Sequence, residues 1–221
     1  MRKLILGLLA CSVLGCGDRK IKPYPVHGTS SSNTSTVGVS AASSSASGAD
    51  YSWPDGPGGV KIDQIVPASF EWDGVKTGES SPTKLYVVDW YDPDGIKNID
   101  AVLVITSKYD CQACVKEAKE LESRASFWRD SGLNIKIVAL VFNSPTNSPA
   151  DISSAIQWKS MYSLNSVDVG ADPSALFAHK SLFSTPLNTV VDPRTMKVIE
   201  VREGYVDSYE NLETLAYING T

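Results

Sequence analysis

The 221-residue sequence has no apolar run of 18 or more residues, which removes an ordinary membrane-spanning helix. It has no surplus of basic charge either. Its 20 Lys and Arg stand against 25 Asp and Glu, a net charge of −5, so no basic stripe is available to hold DNA or RNA. Four cysteines are too few for a scaffold built on a disulfide framework, and two histidines leave little nitrogen for a metal centre. No internal repeat is visible. What remains is 42% hydrophobic and 9% aromatic, enough to pack the core of a globular domain.

Charge is missing altogether from residues 23–49, where residues 29–48 hold nine serines and three threonines. Such a stretch has almost nothing to bury and reads as a flexible tether over residues 16–60; a coil of about 40 residues reaches roughly 35 Å. His27 lies inside it as a solvated side chain. Ahead of it, Met1-Arg2-Lys3 is a short positive segment followed by an apolar stretch over residues 4–14, the pattern of an export signal over residues 1–15. The stretch closes on Val13-Leu14-Gly15-Cys16, which resembles a bacterial lipobox. That resemblance implies cleavage before Cys16 and lipid on its thiol and amine. Cleavage would remove Arg2, Lys3 and Cys11, taking the net charge from −5 to −7. Acyl chains, at about 0.8 kcal/mol per buried CH₂, would hold the protein on a membrane.

Order is expected from about residue 60, giving a domain over residues 61–221. Residues 65–74 read as a short extended piece ending in an Asp73-Gly74 turn, and residues 84–90 as a β-rich run. Residues 101–106 (Ala-Val-Leu-Val-Ile-Thr) are apolar throughout, as in a strand buried on both faces. Residues 111–130 carry apolar side chains at helical spacing (Val115, Ala118, Leu121, Ala125, Trp128), with Gly132 as the stop. Another strand follows over residues 135–142. A loop at residues 144–149 leads to a helix with Pro149 in its first turn, and residues 173–179 suggest a further short helix. Residues 187–191 and 197–201 flank Asp192-Pro193-Arg194-Thr195 as a hairpin, and Asp207 or Ser208 would cap a last helix. Alternating strands and helices predict an α/β sandwich with a mixed sheet.

Cys111-Gln112-Ala113-Cys114 is the sharpest motif. It follows the most apolar strand and opens a helix, where free N–H groups and the helix dipole favour a thiolate at Cys111. Three residues along the helix, Cys114 lies on the same side, close enough to form a disulfide. Cys111 would therefore attack a partner disulfide and Cys114 resolve the mixed species. A purely structural disulfide closing one turn would constrain little chain. Zinc would need two more ligands, and only His27 and His179 offer nitrogen.

With this motif, residues from about 65 to the C-terminus resemble thioredoxin-fold proteins of the TlpA/ResA and AhpC/TSA (redoxin) branch. Pro67-Ala68-Ser69-Phe70 is similar to the Pro-x-Phe lead of that branch, Thr185-Pro186 matches its cis-proline before a strand, and Gly204 fits the position ahead of the last helix. The resemblance implies a thioredoxin-like three-layer sandwich, a mixed central sheet flanked by helices, carrying an N-terminal extension. It also implies that Pro186 is cis beside the disulfide and that Thr185 contacts substrate backbone. Three departures stand out. Asp110 replaces the usual Trp and would disfavour the Cys111 thiolate unless its side chain turns away. Residues 101–105 lack the acid that many thioredoxins bury there, so proton transfer from Cys114 falls to water or to an acid elsewhere, such as Asp89 or Glu117. Gln112-Ala113 has neither Pro nor His and leaves the direction of electron flow open.

The expectation is an exported, lipid-anchored thiol–disulfide oxidoreductase of the bacterial cell envelope, its domain outside the cytoplasm. Its partners would be exported cysteine-containing proteins, and it would need no cofactor beyond the redox-active disulfide. A reductant role would require a membrane electron donor, because the periplasm is kept oxidising. A Sco-like copper protein using the cysteine pair and His179 is one alternative, since Cu(I) favours thiolates. A thiol peroxidase is another, although the positions for its activating Pro and Thr hold Val104 and Lys108.

Overall fold

A computed structural model of the protein describes residues 51–178 and 184–221; Cys16, His27 and His179 lie outside the described residues. The elements run β1 (Glu71–Val75), β2 (Thr83–Tyr86), β3 (Ala101–Ser107), α1 (Gln112–Asp130), β4 (Ile135–Val141), α2 (Ile152–Met161), β5 (Asp168–Ala171), β6 (Leu187–Asp192), β7 (Lys197–Glu203) and α3 (Glu210–Gly220). They form one mixed sheet in the order β2-β1-β5-β4-β3-β6-β7. β3, β4 and β5 are parallel, and the outer strands pair antiparallel. All seven residues of β3 are buried, which is why its sequence is apolar without alternation.

Strand parity sorts the core into two layers. Ala101, Leu103 and Ile105 point to one face, where Leu121 and Trp128 of α1, Trp158 of α2 and Leu212 of α3 cover them. Val102 and Val104 point to the other, against Trp72, Trp90, Phe177 and Met196. Apart from strand residues such as Trp72 of β1, this second cover among the described residues is made of coil and a 3-10 turn at Val87–Trp90, with no α-helix. The result is three layers with the sheet in the middle.

Several local expectations give way to tertiary packing. The run over residues 84–90 is a strand only as far as Tyr86. Val87 then gives its N–H to the Phe70 carbonyl at 3.1 Å, and Trp90 folds under to stack on Trp72 with ring centroids 5.8 Å apart. Asp73-Gly74 is not a turn but part of β1. A Cβ on Gly74 would come within 2.5 Å of the Val169 carbonyl oxygen, so the glycine serves close strand approach. β5, four residues with Gly170 among them, has too little apolar pattern to be seen in sequence. Pro149 lies in the loop before α2, and α2 is instead capped by Asp151, which exchanges hydrogen bonds with Ser154. Residues 173–178 turn rather than coil into a helix, because the buried Asp172 carboxylate accepts the N–H groups of Leu176 (3.0 Å) and Phe177 (3.3 Å). α3 is preceded by Tyr209, not capped by Asp207 or Ser208. Gly132, at φ 80°, does end α1.

Candidate active site

The parallel strand β3 delivers the chain to the N-terminus of α1, where Cys111 is the N-cap residue. Its sulfur accepts the backbone N–H of Cys114 at 3.0 Å, so one of the helix's free amide protons is turned onto it. Cys111 and Cys114 form a disulfide. Cys114 is fully buried, whereas Cys111 keeps 6% of its surface exposed. The Thr185–Pro186 peptide is cis, and the Thr185 carbonyl oxygen lies 3.1 Å from the Cys111 sulfur, where a reduced thiol would donate to it. Behind this loop, Gly204 gives its N–H to the Pro186 carbonyl at 2.8 Å. Two chain segments distant in sequence thus meet at one sulfur.

The turn before Cys111 is held by a residue that the sequence reading missed. Asn143, buried after β4, accepts the Tyr109 N–H at 2.9 Å and donates to Asp110 at 3.4 Å and to Asn147 at 3.0 Å. Tyr109 is fixed further by donating to the Ser154 carbonyl at 2.5 Å and packing edge-on against Trp158. Burial pushes its hydroxyl up to about 12. The exposed Asp110 carboxylate is drawn toward Lys108, 3.4 Å away, and Asn143. Against some desolvation, its own backbone N–H, Lys108 and Asn143 hold it below the usual carboxylate range. Its negative charge is therefore already engaged by partners other than the sulfur.

The candidate acids separate cleanly. Asp89 belongs to the 3-10 turn on the face opposite α1, half exposed in an ion pair with Lys76 at 3.3 Å. Glu117 is fully buried, three residues after Cys114 and so on the same side of α1. Burial raises its carboxyl above the ordinary value, against hydrogen bonds from Tyr209 and Asn188 that lower it. Asn188 comes from β6, two residues past Pro186, and Tyr209 from the start of α3. Glu117 had a signal in sequence: it sits in the helical stripe shared by Cys114, Leu121 and Trp128. Asn188 and Tyr209 had none, since neither is near the cysteines along the chain. Val104 and Lys108, the positions a peroxidase would need, are a buried strand residue and the partner of Asp110. Among the described residues no group of three or more His, Cys, Asp or Glu is arranged to hold a metal.

No protein-family model matches this chain, and no curated protein does. Solved structures do. The chain is similar to a candidate thiol:disulfide interchange protein DsbE from Chlorobium tepidum, with a TM-score of 0.50 at 15% identity over 73% of this chain and 99% of that one. A likeness at that identity establishes the fold, which is thioredoxin-like. The thioredoxin domain of a thiol-disulfide oxidoreductase from Bacteroides vulgatus aligns at 14% identity and TM-score 0.48, over 71% of this chain and 98% of that one. A pneumococcal exposed lipoprotein thioredoxin from Streptococcus pneumoniae aligns at 16% and 0.47, over 66% and 96%.

Proposed function

We propose that the protein is a thiol–disulfide oxidoreductase that exchanges disulfides with protein substrates through Cys111 and Cys114. The observation that carries this reading is the asymmetry of the pair: Cys111 caps a helix, accepts an amide proton and reaches the surface, while Cys114 is sealed beneath it. In the reduced protein, the Cys111 thiolate attacks one sulfur of a partner disulfide and the other partner sulfur leaves as a thiolate. Cys114 then gives up its proton and attacks Cys111 within the mixed disulfide. The partner leaves with two thiols, and the Cys111–Cys114 disulfide has taken over its oxidation state. The reverse sequence oxidises a partner dithiol.

Glu117 is the group suited to hold the Cys114 proton. It is buried on the same helical side, and burial raises its carboxyl above the ordinary value, which favours the protonated form. The Thr185 carbonyl and the cis-Pro186 loop would receive the partner backbone beside Cys111. The partners are exported cysteine-containing proteins, the anchor is lipid on Cys16, and the working side is the extracytoplasmic face of a bacterial membrane. A reducing role would draw electrons from a membrane donor. Among the described residues no helix is long and apolar enough to cross a membrane.

Replacing Cys114 by Ala should trap partners as mixed disulfides on Cys111, visible on non-reducing gels and released by reductant. A Cys111→Ala protein should trap none. Equal trapping by both variants, or by neither, would remove the attack order assigned here. Separately, Cys16→Ser should release the protein from membranes, and continued membrane association would end the lipid-anchor reading.

A further inference from the structure

The buried surroundings of Glu117 contain a hydrogen-bond arrangement that the exchange chemistry above does not yet use. Glu117, Asn188 and Tyr209 are 0%, 2% and 3% exposed, and among the described residues no cation forms an ion pair with the carboxylate. The Asn188 amide places one proton on Glu117 Oε2 at 3.3 Å and the other on the Gly204 carbonyl at 3.2 Å. Its own oxygen is thereby left to accept from the Tyr209 hydroxyl at 2.9 Å, and that hydroxyl is also hydrogen-bonded to Glu117 Oε1. Tyr209 thus has one proton and two acceptors.

We infer that Tyr209, steered by Asn188, is a positioning residue whose hydroxyl turns between Glu117 and Asn188 as Glu117 loses and gains its proton. When Glu117 is ionised, the hydroxyl donates to Oε1. When Glu117 is protonated on Oε1, its O–H donates to the tyrosine oxygen, and the hydroxyl proton swings to Asn188 Oδ1. Neither protonation state leaves a buried donor without an acceptor, so the proton can come and go without an unpaired polar group at either end of the transfer. Among the described residues no other group packed here takes over this role. Arg124 of α1 stands over the Tyr209 ring at 5.2 Å but is bound to Glu120 (2.8 Å), the Tyr205 hydroxyl (3.2 Å) and the Val206 carbonyl (3.0 Å). Lys116 lies over the Tyr205 ring at 3.7 Å. The Val206 backbone N–H and the Arg124 charge also act on Glu117, and both favour its ionised form, but neither carries a proton that can turn between two acceptors.

This inference rests on the oxidoreductase reading, and the test separates the two. In the full chain, Tyr209→Phe keeps the edge-on packing against Trp128 (5.6 Å) and removes only the hydroxyl. The carboxyl carbon of Glu117, followed by carbon-13 NMR in the reduced protein and assigned with Glu117→Gln, should titrate about 1 pH unit higher in Tyr209→Phe, because a donor to the ionised form is gone. The inflection in disulfide-exchange rate with dithiothreitol should move by the same amount. If the wild type exchanges with dithiothreitol but the variant's midpoint and inflection coincide with its own, the inference falls and the function stands. If the wild type fails to exchange at any pH, both fall. Should Tyr209→Phe not fold, the Tyr209 Cζ signal of the wild type decides: it should follow the Glu117 titration with the same midpoint, and a signal flat across that range overturns the inference.

Discussion

The protein buries a carboxylate at each end of its sheet and treats the two in opposite ways. At the end where β3 begins, Asp92 is 1% exposed and meets Arg194 from the β6–β7 hairpin at 2.8 Å, with the N–H groups of Lys97 and Ile99 on its oxygens at 3.0 Å. Burial opposes its ionisation, but those N–H groups and the guanidinium outweigh it and hold the carboxyl below the usual range. At the end where β3 delivers the cysteines, Glu117 is hydrogen-bonded to the neutral Tyr209 and Asn188, and burial outweighs these bonds and the Arg124 charge to push its carboxyl up. Equal burial therefore does not decide whether an acid is charged. The nature of its partners does. An acid locked in one charge state serves as a staple, and one balanced between two states can carry a proton.

The largest effect expected from breaking this contrast is at the staple. Arg194 also reaches the Asp92 and Asn219 carbonyls, tying the hairpin and the end of α3 to the segment before β3. Arg194→Met should cost about 3–5 kcal/mol of unfolding free energy in urea, because it leaves a buried charge unpaired. A loss under about 1 kcal/mol would show that the pair is solvated in solution.

Next in size is Glu117, proposed above to hold the Cys114 proton. Glu117→Gln should lower the rate of the Cys114-dependent step by about 100-fold, the lower range for a positioned acid or base, while leaving the fold intact by near-ultraviolet circular dichroism. A variant that exchanges disulfides at the wild-type rate with the wild-type pH profile would remove Glu117 from the mechanism.

The smallest effects are in the pH dependence of stability, where the two ends should act with opposite sign. The folded Asp92 titrates below its ordinary 3.8, so the stability it contributes is present above that value and lost as pH falls through the depressed one. The folded Glu117 titrates above its ordinary 4.5, so the folded state holds its proton more tightly and stability is lost as pH rises from 4.5 toward the raised value. Urea midpoints measured against pH should therefore show an acid limb that Asp92→Asn flattens and a higher limb that Glu117→Gln flattens. If each variant changed the other's limb, the assignment of charge states would be reversed.

How much of this could be read in advance varied with the range of the interaction. Cys111, Cys114 and the strand before them are legible because the motif, the apolar run and the helix start are contiguous. The stop at Gly132 and the hairpin around Asp192 are local as well. The short strand β5 and the 3-10 turn at Val87–Trp90 are not, since both exist through partners elsewhere: β5 through β1 and β4, the turn through Trp72 and Phe70. The same applies within the site. Glu117 lies in a visible helical stripe, but its charge state depends on Asn188 and Tyr209, 71 and 92 residues away along the chain.

Sequence alone determined the alternation of strands and helices, the close cysteine pair and its place at a helix N-terminus, because these follow from periodicity and spacing over a few residues. Tertiary structure alone decided which cysteine reaches solvent, which carbonyl stands against it, and that Glu117 rather than Asp89 lies in the core beside the pair. The reason is physical. Exposure, desolvation and hydrogen-bond partnership are properties of the space around a group, and that space is assembled from strands and helices that meet only when the sheet has closed.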